Sequence, residues 1–529
     1  MPPQRGDEYF HDSDEVLQPP QRLQCDYLVI GAGTSGMSFV DTILAEDPKA
    51  TMIVVDRNEK PGGHWVNVYP FCRLHQSACS YGVNSMTLGK NLDRKGNERW
   101  DAYDLPTGQE VVEYYERVRE KFEMTGRVTF FFGAEYKGFD EPTRLHRVVN
   151  AAAADKGGTS TTTAAAAAVV LEVRCRRKLV TVETNIQVPS MREPTIPVHE
   201  GASFVAVNAL PASIRSGRFR NYIVFGCGKT GADAIVHLLK EDDGVVDPSK
   251  ITWIVSRESW YSQRNAMEDC LTAMDTFLDP MVRCESVKDV YLEWESRGLM
   301  GRLDRSVPPE IFKGAILDAA EMELMRSVRT VVRKGRALAV EQDRIVLERG
   351  SIDYDPDTTL LVDCMVDGLY GFDNPEDFCI FGPGRIRMGP FLYFWNPSFS
   401  AAHIAFLECA LGDDNDEAKN NHSYFVRGVP PKELARPETA VGYMITHLMT
   451  TMQLMKVPGG IKFFLRSRTN MLSTKHHKRG LLRMLWYSLG PKQWLRKAFK
   501  LEKKIKTMGF TDLDHNFSVD TIGTVEKAF

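Results

Sequence analysis

Leu28-Val29-Ile30-Gly31-Ala32-Gly33-Thr34-Ser35-Gly36 decides how this chain is read: an apolar run ends in a glycine-rich turn. Each glycine answers a separate backbone demand. Gly31 lets the chain swing off a strand, Gly33 lets it approach a diphosphate, and Gly36 lets the following helix pack closely on the strand. A helix from about Ser35 to Leu44 then points its N-terminal N–H groups, including those of Ala32, Thr34 and Ser35, at the phosphates. The next strand, Thr51 to Val55, ends at Asp56, 20 residues past Gly36, where a carboxylate can accept ribose hydroxyls. One GxGxxG in a chain of 40 glycines is weak, but the pattern recurs. Tyr222-Ile223-Val224-Phe225 runs into Gly226-Cys227-Gly228-Lys229-Thr230-Gly231, then a helix to Lys240 and a strand Ile251 to Val255. Two strand–turn–helix–strand units imply two dinucleotide sites.

The second unit differs at the end of its second strand. Where a carboxylate would favour NADH, this chain has Ser256 and Arg257. A hydroxyl and a guanidinium bind a 2′-phosphate, and Lys229 adds a point charge inside the turn. The expected nucleotide is NADPH. In the first unit, Asp56 is followed by Arg57-Asn58-Glu59-Lys60-Pro61-Gly62-Gly63-His64-Trp65.

That segment resembles the one after the second strand in FAD-dependent oxidoreductases, flavoprotein monooxygenases in particular. The order of the two turns resembles the two-dinucleotide-binding-domain flavoproteins, over about residues 25–460. The resemblance implies FAD at the first turn, with Arg57 among the residues that bind it. Gly63, His64 and Trp65 would then lie beside the flavin, and His75 and Gln76 along its ring edge. The alternative for Trp65 is a side chain that fills the core. The implied fold is α/β: two Rossmann-like, doubly wound, three-layer domains, the NADPH domain inserted in the FAD domain, with helical additions. Its parts would be a disordered arm at 1–24, an FAD domain at 25–215 and 365–460, and an NAD(P)H domain at 216–364. A helical insertion would occupy about 258–328, and a basic extension 461–529.

Three stretches depart from that family's patterns. The linker Phe204-Val205-Ala206-Val207-Asn208-Ala209-Leu210-Pro211 lacks the glycine and histidine of monooxygenase linkers. Cys72 and Cys79 have six residues between them, too many for the redox pair of disulfide reductases, and read as buried or incidental thiols. The returning stretch Leu360 to Gly368 keeps its glycine but has Val366-Asp367 for Ala-Thr.

Composition sets the bounds. The 529 residues hold two or three domains, with 43% apolar and 26% charged residues. A net charge of −4 excludes strong general attraction to nucleic acid. Ten cysteines without metal spacing fit a reducing compartment, and the polar, acidic start reads as neither signal nor transit peptide, so the expected location is cytoplasmic. Residues 475–506 carry eleven Lys/Arg against one acidic residue, with leucines and tryptophans between. Such a tail can meet an anionic membrane, its own acidic body or a second subunit, docking on protein being favoured. Helical spacing covers 108–124, and strands are expected at 128–132 and 169–188, the latter as a hairpin. Helices are expected at 287–298 and 309–326, and one opened by Ser398 or Ser400. Between Asn150 and Val169 lies a low-complexity alanine- and threonine-rich insertion.

The functional expectation is an FAD-dependent oxidoreductase taking hydride from NADPH, a monooxygenase using molecular oxygen on a small organic substrate. Two alternatives are a flavin reductase or dehydrogenase without oxygenation, and a catalytically idle nucleotide-binding redox sensor. The flavin would carry the chemistry, so no catalytic side chain and no metal site is singled out.

Overall fold

The computed structural model describes residues 20–96, 98–150, 169–182, 187–240, 245–268, 270–366, 379–389, 392–393, 396–423 and 436–473. The arm up to residue 19, the 151–168 insertion, Asp367-Gly368 and the basic 475–506 segment lie outside the described residues.

Strand β1 (Gln21–Ile30) turns into helix α1 (Thr34–Glu46), which returns the chain to β2 (Met52–Asp56). Helix α2 (Gly108–Glu123) opens on a capping box, Thr107 with Glu110, and buries Val111, Tyr115, Val118 and Phe122. Then follow β3 (Val128–Phe132), β4 (Ala134–Asp140), β5 (Leu145–Asn150) and β6 (Val169–Thr181). β1 pairs in parallel with β2 and β6, and β2 with β3. Two sequence expectations change here. β1 begins at Gln21, inside the 1–24 stretch expected as a disordered arm, because residues 21–24 pair with 171–174 of β6. Residues 169–181 form one strand, not a hairpin: the first half has its antiparallel partner in β5, so it needs no return strand of its own.

The second sheet is built the same way. β7 (Phe204–Ala206) and α3 (Leu210–Arg215) lead to β8 (Asn221–Phe225), α4 (Lys229–Lys240) and β9 (Ile251–Ile254). The chain then leaves the sheet through β10 (Ser259–Gln263), α5 (Cys270–Arg283), α6 (Val287–Ser296), β11 (Met300–Arg302), β12 (Ile311–Leu317) and α7 (Ala319–Arg326). It returns at β13 (Thr330–Val332), makes an antiparallel meander of β14 (Ala337–Val340), β15 (Arg344–Leu347) and β16 (Gly350–Asp353), and re-enters as β17 (Thr359–Asp363). The order β13-β9-β8-β17-β7 is parallel throughout. All-parallel sheets of this kind want both faces covered, and β17 is buried along its whole length.

The 258–328 excursion is not purely helical. β10 is the centre of a three-stranded sheet, antiparallel to β11 and parallel to β12. Its side chains serve two cores by strand alternation. Trp260 faces Tyr291 and Phe312, whereas Tyr261 donates to the Cys227 carbonyl of the second glycine turn at 2.8 Å. The helix expected over 309–326 divides at Asp318, which caps α7 by a capping box with Glu321; the apolar run before it lies flat as β12.

Finally β18 (Phe381–Gly382) and β19 (Arg385–Arg387) extend the first sheet, β19 running parallel to β6. α8 (Pro397–Leu411), α9 (Asp416–Asn421), α10 (Pro437–Lys456) and α11 (Gly460–Arg466) close the described chain. α8 packs on α1. Its cap is Asn396, not Ser398 or Ser400: the Asn396 side chain accepts from Phe399 N–H at 2.9 Å, and Pro397 fills the first helical position. Among the described residues no helix is long and apolar enough to cross a membrane.

Buried His403 on α8 makes stability depend on pH. Burial, aided by His422, holds its imidazole down to about 3 against an ordinary 6.5. A depressed histidine costs nothing above pH 6.5 and drains stability as pH falls toward the folded value. From this residue alone the unfolding free energy should drop by about 2 kcal/mol between pH 7 and pH 5. Denaturant titrations of His403→Gln should show a shallower decline than the unaltered chain; equal slopes would exclude the assignment.

Candidate functional site

The first glycine turn leaves β1 at Gly31, whose φ of +110° is outside the range of ordinary side chains. A Cβ on Gly36 would fall 1.9 Å from the Gly31 carbonyl oxygen, so only glycine lets α1 sit this close to its strand. Gly33 caps α1 with no side-chain hydrogen bond, and the first-turn N–H groups of Thr34, Ser35 and Gly36 are left for a ligand. The Gly62-Gly63 loop lies against this turn: Gly62 N–H donates to Ala32 O at 3.0 Å, and a Cβ on Gly63 would come within 3.0 Å of Gly33 Cα. Asp56 is buried at the end of β2, accepting from Ala32 N–H at 2.7 Å and Asn58 N–H at 2.8 Å. Burial raises its pKa above the usual carboxylate value. Arg57 is exposed beside it.

Trp65 belongs to the core. Its indole N–H donates to Tyr81 Oη at 2.6 Å, Tyr115 donates to Thr34 Oγ1 at 2.8 Å, and Thr34 and Tyr81 hydroxyls meet. This buried network braces the first turn of α1 from below. His64, half-buried, tilts over Trp65 with ring centroids 5.2 Å apart.

The second turn repeats the first. Gly226 has φ +114°, a Cβ on it would approach the Cys364 carbonyl to 2.8 Å, and a Cβ on Gly231 would fall 2.1 Å from Gly226 O. Gly228 faces open space. Lys229 is ion-paired with Asp233, and Asp233 also accepts from Tyr69 Oη at 2.6 Å, so the ammonium is anchored to α4 rather than standing free in the turn. Thr230 is half-buried on the first turn of α4. Ser256 and Arg257 follow β9, both half-buried, and Arg257 Nε has no hydrogen-bond partner among the described residues. The carboxylate after them, Glu258, is buried against Arg333 and is not available to ribose hydroxyls.

One loop joins the two turns. Tyr69 reaches Asp233, Phe71 stacks on His237 of α4 at 4.0 Å, and the chain then reaches His75 and Gln76. Burial, then the cations Lys229 and Arg264, then His64, push the His75 imidazole down to about 3, so it is neutral at physiological pH. Arg264 is buried and donates to the His75 carbonyl at 2.8 Å. Among the described residues, His75 Nδ1, Gln76 Nε2, Asn208 Oδ1, Gln263 Nε2 and Arg264 Nε are buried without a hydrogen-bond partner. Unsatisfied polar atoms are costly, and those of His75, Gln76, Gln263 and Arg264 belong to two segments joined by the Arg264–His75 contact, a place suited to a polar ligand. Sequence reasoning missed Asn208, Gln263, Arg264 and Tyr81. The orphaned pattern appears only when the 204–208 linker, β10 and the 63–80 loop meet. Cys72 and Cys79 are both buried, each thiol pushed up to about 12 by burial foremost, as inert thiols are. Among the described residues no cluster of three or more His, Cys, Asp or Glu side chains is arranged to hold a metal ion.

No protein-family profile matches the chain. Among solved structures it is similar to the open crystal structure of cyclohexanone monooxygenase, at 16% identity over 73% of this chain and 87% of that one, TM-score 0.45. It is also similar to oxidized steroid monooxygenase bound to NADP, at 14% identity over 73% and 85%, TM-score 0.45. Among curated proteins it is 34% identical over 413 residues to uncharacterized protein Rv2000 of Mycobacterium tuberculosis, 75% of this chain and 69% of that protein. Uncharacterized protein Mb2023 of Mycobacterium bovis matches with the same identity and coverage. At that identity and coverage, the chain with its two glycine turns belongs to the family of these mycobacterial proteins.

Proposed function

We propose that this protein is an FAD-dependent oxidoreductase that takes hydride from NADPH and uses molecular oxygen to oxygenate a small organic substrate. FAD would sit on the turn at residues 31–36 and NADPH on that at 226–231, so that 25–215 with 365–460 form the FAD half and 216–364 the NADPH half. The observation that carries this reading is the pair of glycine turns of matching geometry, joined by one loop whose His75 Nδ1 and Gln76 Nε2 are buried without a hydrogen-bond partner among the described residues. When bound, the pair would supply hydride transfer to FAD and then reduction of dioxygen, one oxygen atom entering the substrate and the other leaving as water.

The chain's own part is binding, orientation and exclusion of water. The uncapped amides of α1 hold one diphosphate, and Asp56 receives ribose hydroxyls beside the Ala32 amide. Ser256 and Arg257 take the 2′-phosphate, Glu258 being neutralised by Arg333. Neutral His75 offers an uncharged hydrogen-bonding edge at the junction, while Arg264 supplies a fixed cation whose free Nε–H can meet developing negative charge.

Anaerobic NADPH should bleach the flavin absorbance of the purified full chain. A colourless protein that cannot be reconstituted with FAD would overturn the proposal. Reoxidation by dioxygen through a separate spectral species supports oxygenation; one-step reoxidation with stoichiometric hydrogen peroxide supports a reductase instead. Arg257→Ala should lower kcat/KM for NADPH by about 10- to 100-fold and leave that for NADH nearly unchanged, the cost of one charged hydrogen-bonding partner. Preference for NADH in the unaltered protein would contradict the assignment.

A further inference from the structure

On the opposite face of the first sheet, away from both turns, lies a thiol pair that the flavin chemistry does not use. Cys25 of β1 and Cys175 of β6 are register partners on adjacent parallel strands and share one apolar cluster. Side chains of such partners point to the same face. Neighbouring strands are about 4.8 Å apart. That lies within the range of about 4.4–6.8 Å between Cα atoms that a disulfide accepts. The register slips immediately after this pair, between Cys25 and Tyr27, where β6 carries an extra residue; bulges add the local twist that lets side chains adjust.

The two thiols are not equivalent. Cys25 is 1% exposed, while Cys175 is half-buried and can be reached. The Cys25 thiol and the imidazole of His146, whose strand β5 pairs it with Val173 two residues along β6, lower the Cys175 pKa below that of an ordinary cysteine. His146 is oriented by Tyr136 of β4, whose hydroxyl lies 3.1 Å from Nδ1, and is flanked by Phe139 at 4.7 Å between ring centroids. The Tyr136 hydroxyl and His146 imidazole on one side and the Cys25 thiol on the other therefore converge on the accessible Cys175 sulfur.

We propose that Cys25 and Cys175 form a hydroperoxide-responsive dithiol, with Cys175 the attacked sulfur, Cys25 the resolving one and His146 the proton acceptor. The Cys175 sulfur attacks the peroxide O–O bond: an S–O bond forms, O–O breaks, and an alcohol or water leaves with the thiol proton. The Cys25 sulfur then attacks Cys175: S–S forms, S–O breaks and water leaves. Two thiols are oxidised by two electrons and one hydroperoxide is reduced. The product pins β1, the strand that feeds the first glycine turn, to β6. The proposal is independent of the flavin reading.

The test uses the full chain, reduced, desalted, treated with dilute hydrogen peroxide, alkylated and mapped by mass spectrometry. The expected result is a Cys25–Cys175 linkage as the dominant product, reversed by dithiothreitol. Cys25→Ser should leave a sulfenic acid at Cys175 that dimedone captures, and His146→Gln should slow the oxidation by about tenfold through the lost thiolate. Both thiols remaining fully alkylated in the unaltered chain would overturn the proposal, without recourse to any variant. So would oxidation of Cys25 at an unchanged rate in a folded Cys175→Ser protein.

Discussion

Gly231→Ala is expected to give a protein that keeps its flavin yet has at least about 100-fold lower kcat/KM for NADPH. The added methyl would sit 2.1 Å from Gly226 O, and the obstacle is backbone, not the end of a flexible side chain. Overpacking of this severity costs about 3 kcal/mol or more, and relief can come only by pushing α4 off β8, which opens the nucleotide turn. Gly36→Ala is the mirror experiment. Its methyl falls 1.9 Å from Gly31 O, and the expected loss is the flavin itself. Flavin-to-protein absorbance ratios and NADPH kinetics read the two variants separately. A Gly231→Ala protein that loses flavin and binds NADPH normally would reverse the assignment of the two turns.

The largest expected effect on stability lies far from either turn in sequence. Arg468 follows α11 and is buried, its guanidinium bonded to Glu98 at 2.9 Å and to the carbonyls of Ala78, Val83, Cys79 and Tyr81. Glu98 in turn accepts from the Leu88 and Gly89 amides. Removing one partner of a buried pair strands the other charge, so Arg468→Ala should lower the unfolding free energy by about 3–5 kcal/mol. Because Tyr81 braces Thr34 and Trp65, flavin retention should fall too. Denaturant midpoints measure the first effect and flavin fluorescence on dilution the second. The double change Arg468→Met with Glu98→Gln should cost less than Arg468→Ala, since no buried charge remains alone; an equal or greater cost would mean the ion pair is not the source.

The sequence was most legible where the backbone itself sets the requirement. Gly31, Gly36, Gly226 and Gly231 could be read because no other residue meets those φ angles and close approaches. Helices with a cap and one apolar face, such as α2 and α6, were legible for the same reason of local sufficiency. Ile311–Leu317 misled because a short apolar run carries no period of its own, and its strand pairing with β10 is set by chain 52 to 54 residues away. Ser398 and Ser400 drew the helix start away from Asn396, although Asn before proline is the stronger local signal. Trp65 packs in the core, and the sequence alone left open both that role and a place beside a flavin. Arg264, Asn208 and Arg468 were invisible, since each has its meaning only in partners from distant segments.

Native mass spectrometry of the full chain, equilibrated with saturating FAD and NADP⁺ together, tests the central claim most directly. One FAD and one NADP⁺ per chain is the predicted result, with Gly36→Ala removing only the first and Gly231→Ala only the second. A chain that never holds more than one nucleotide, whichever is offered, would contradict it.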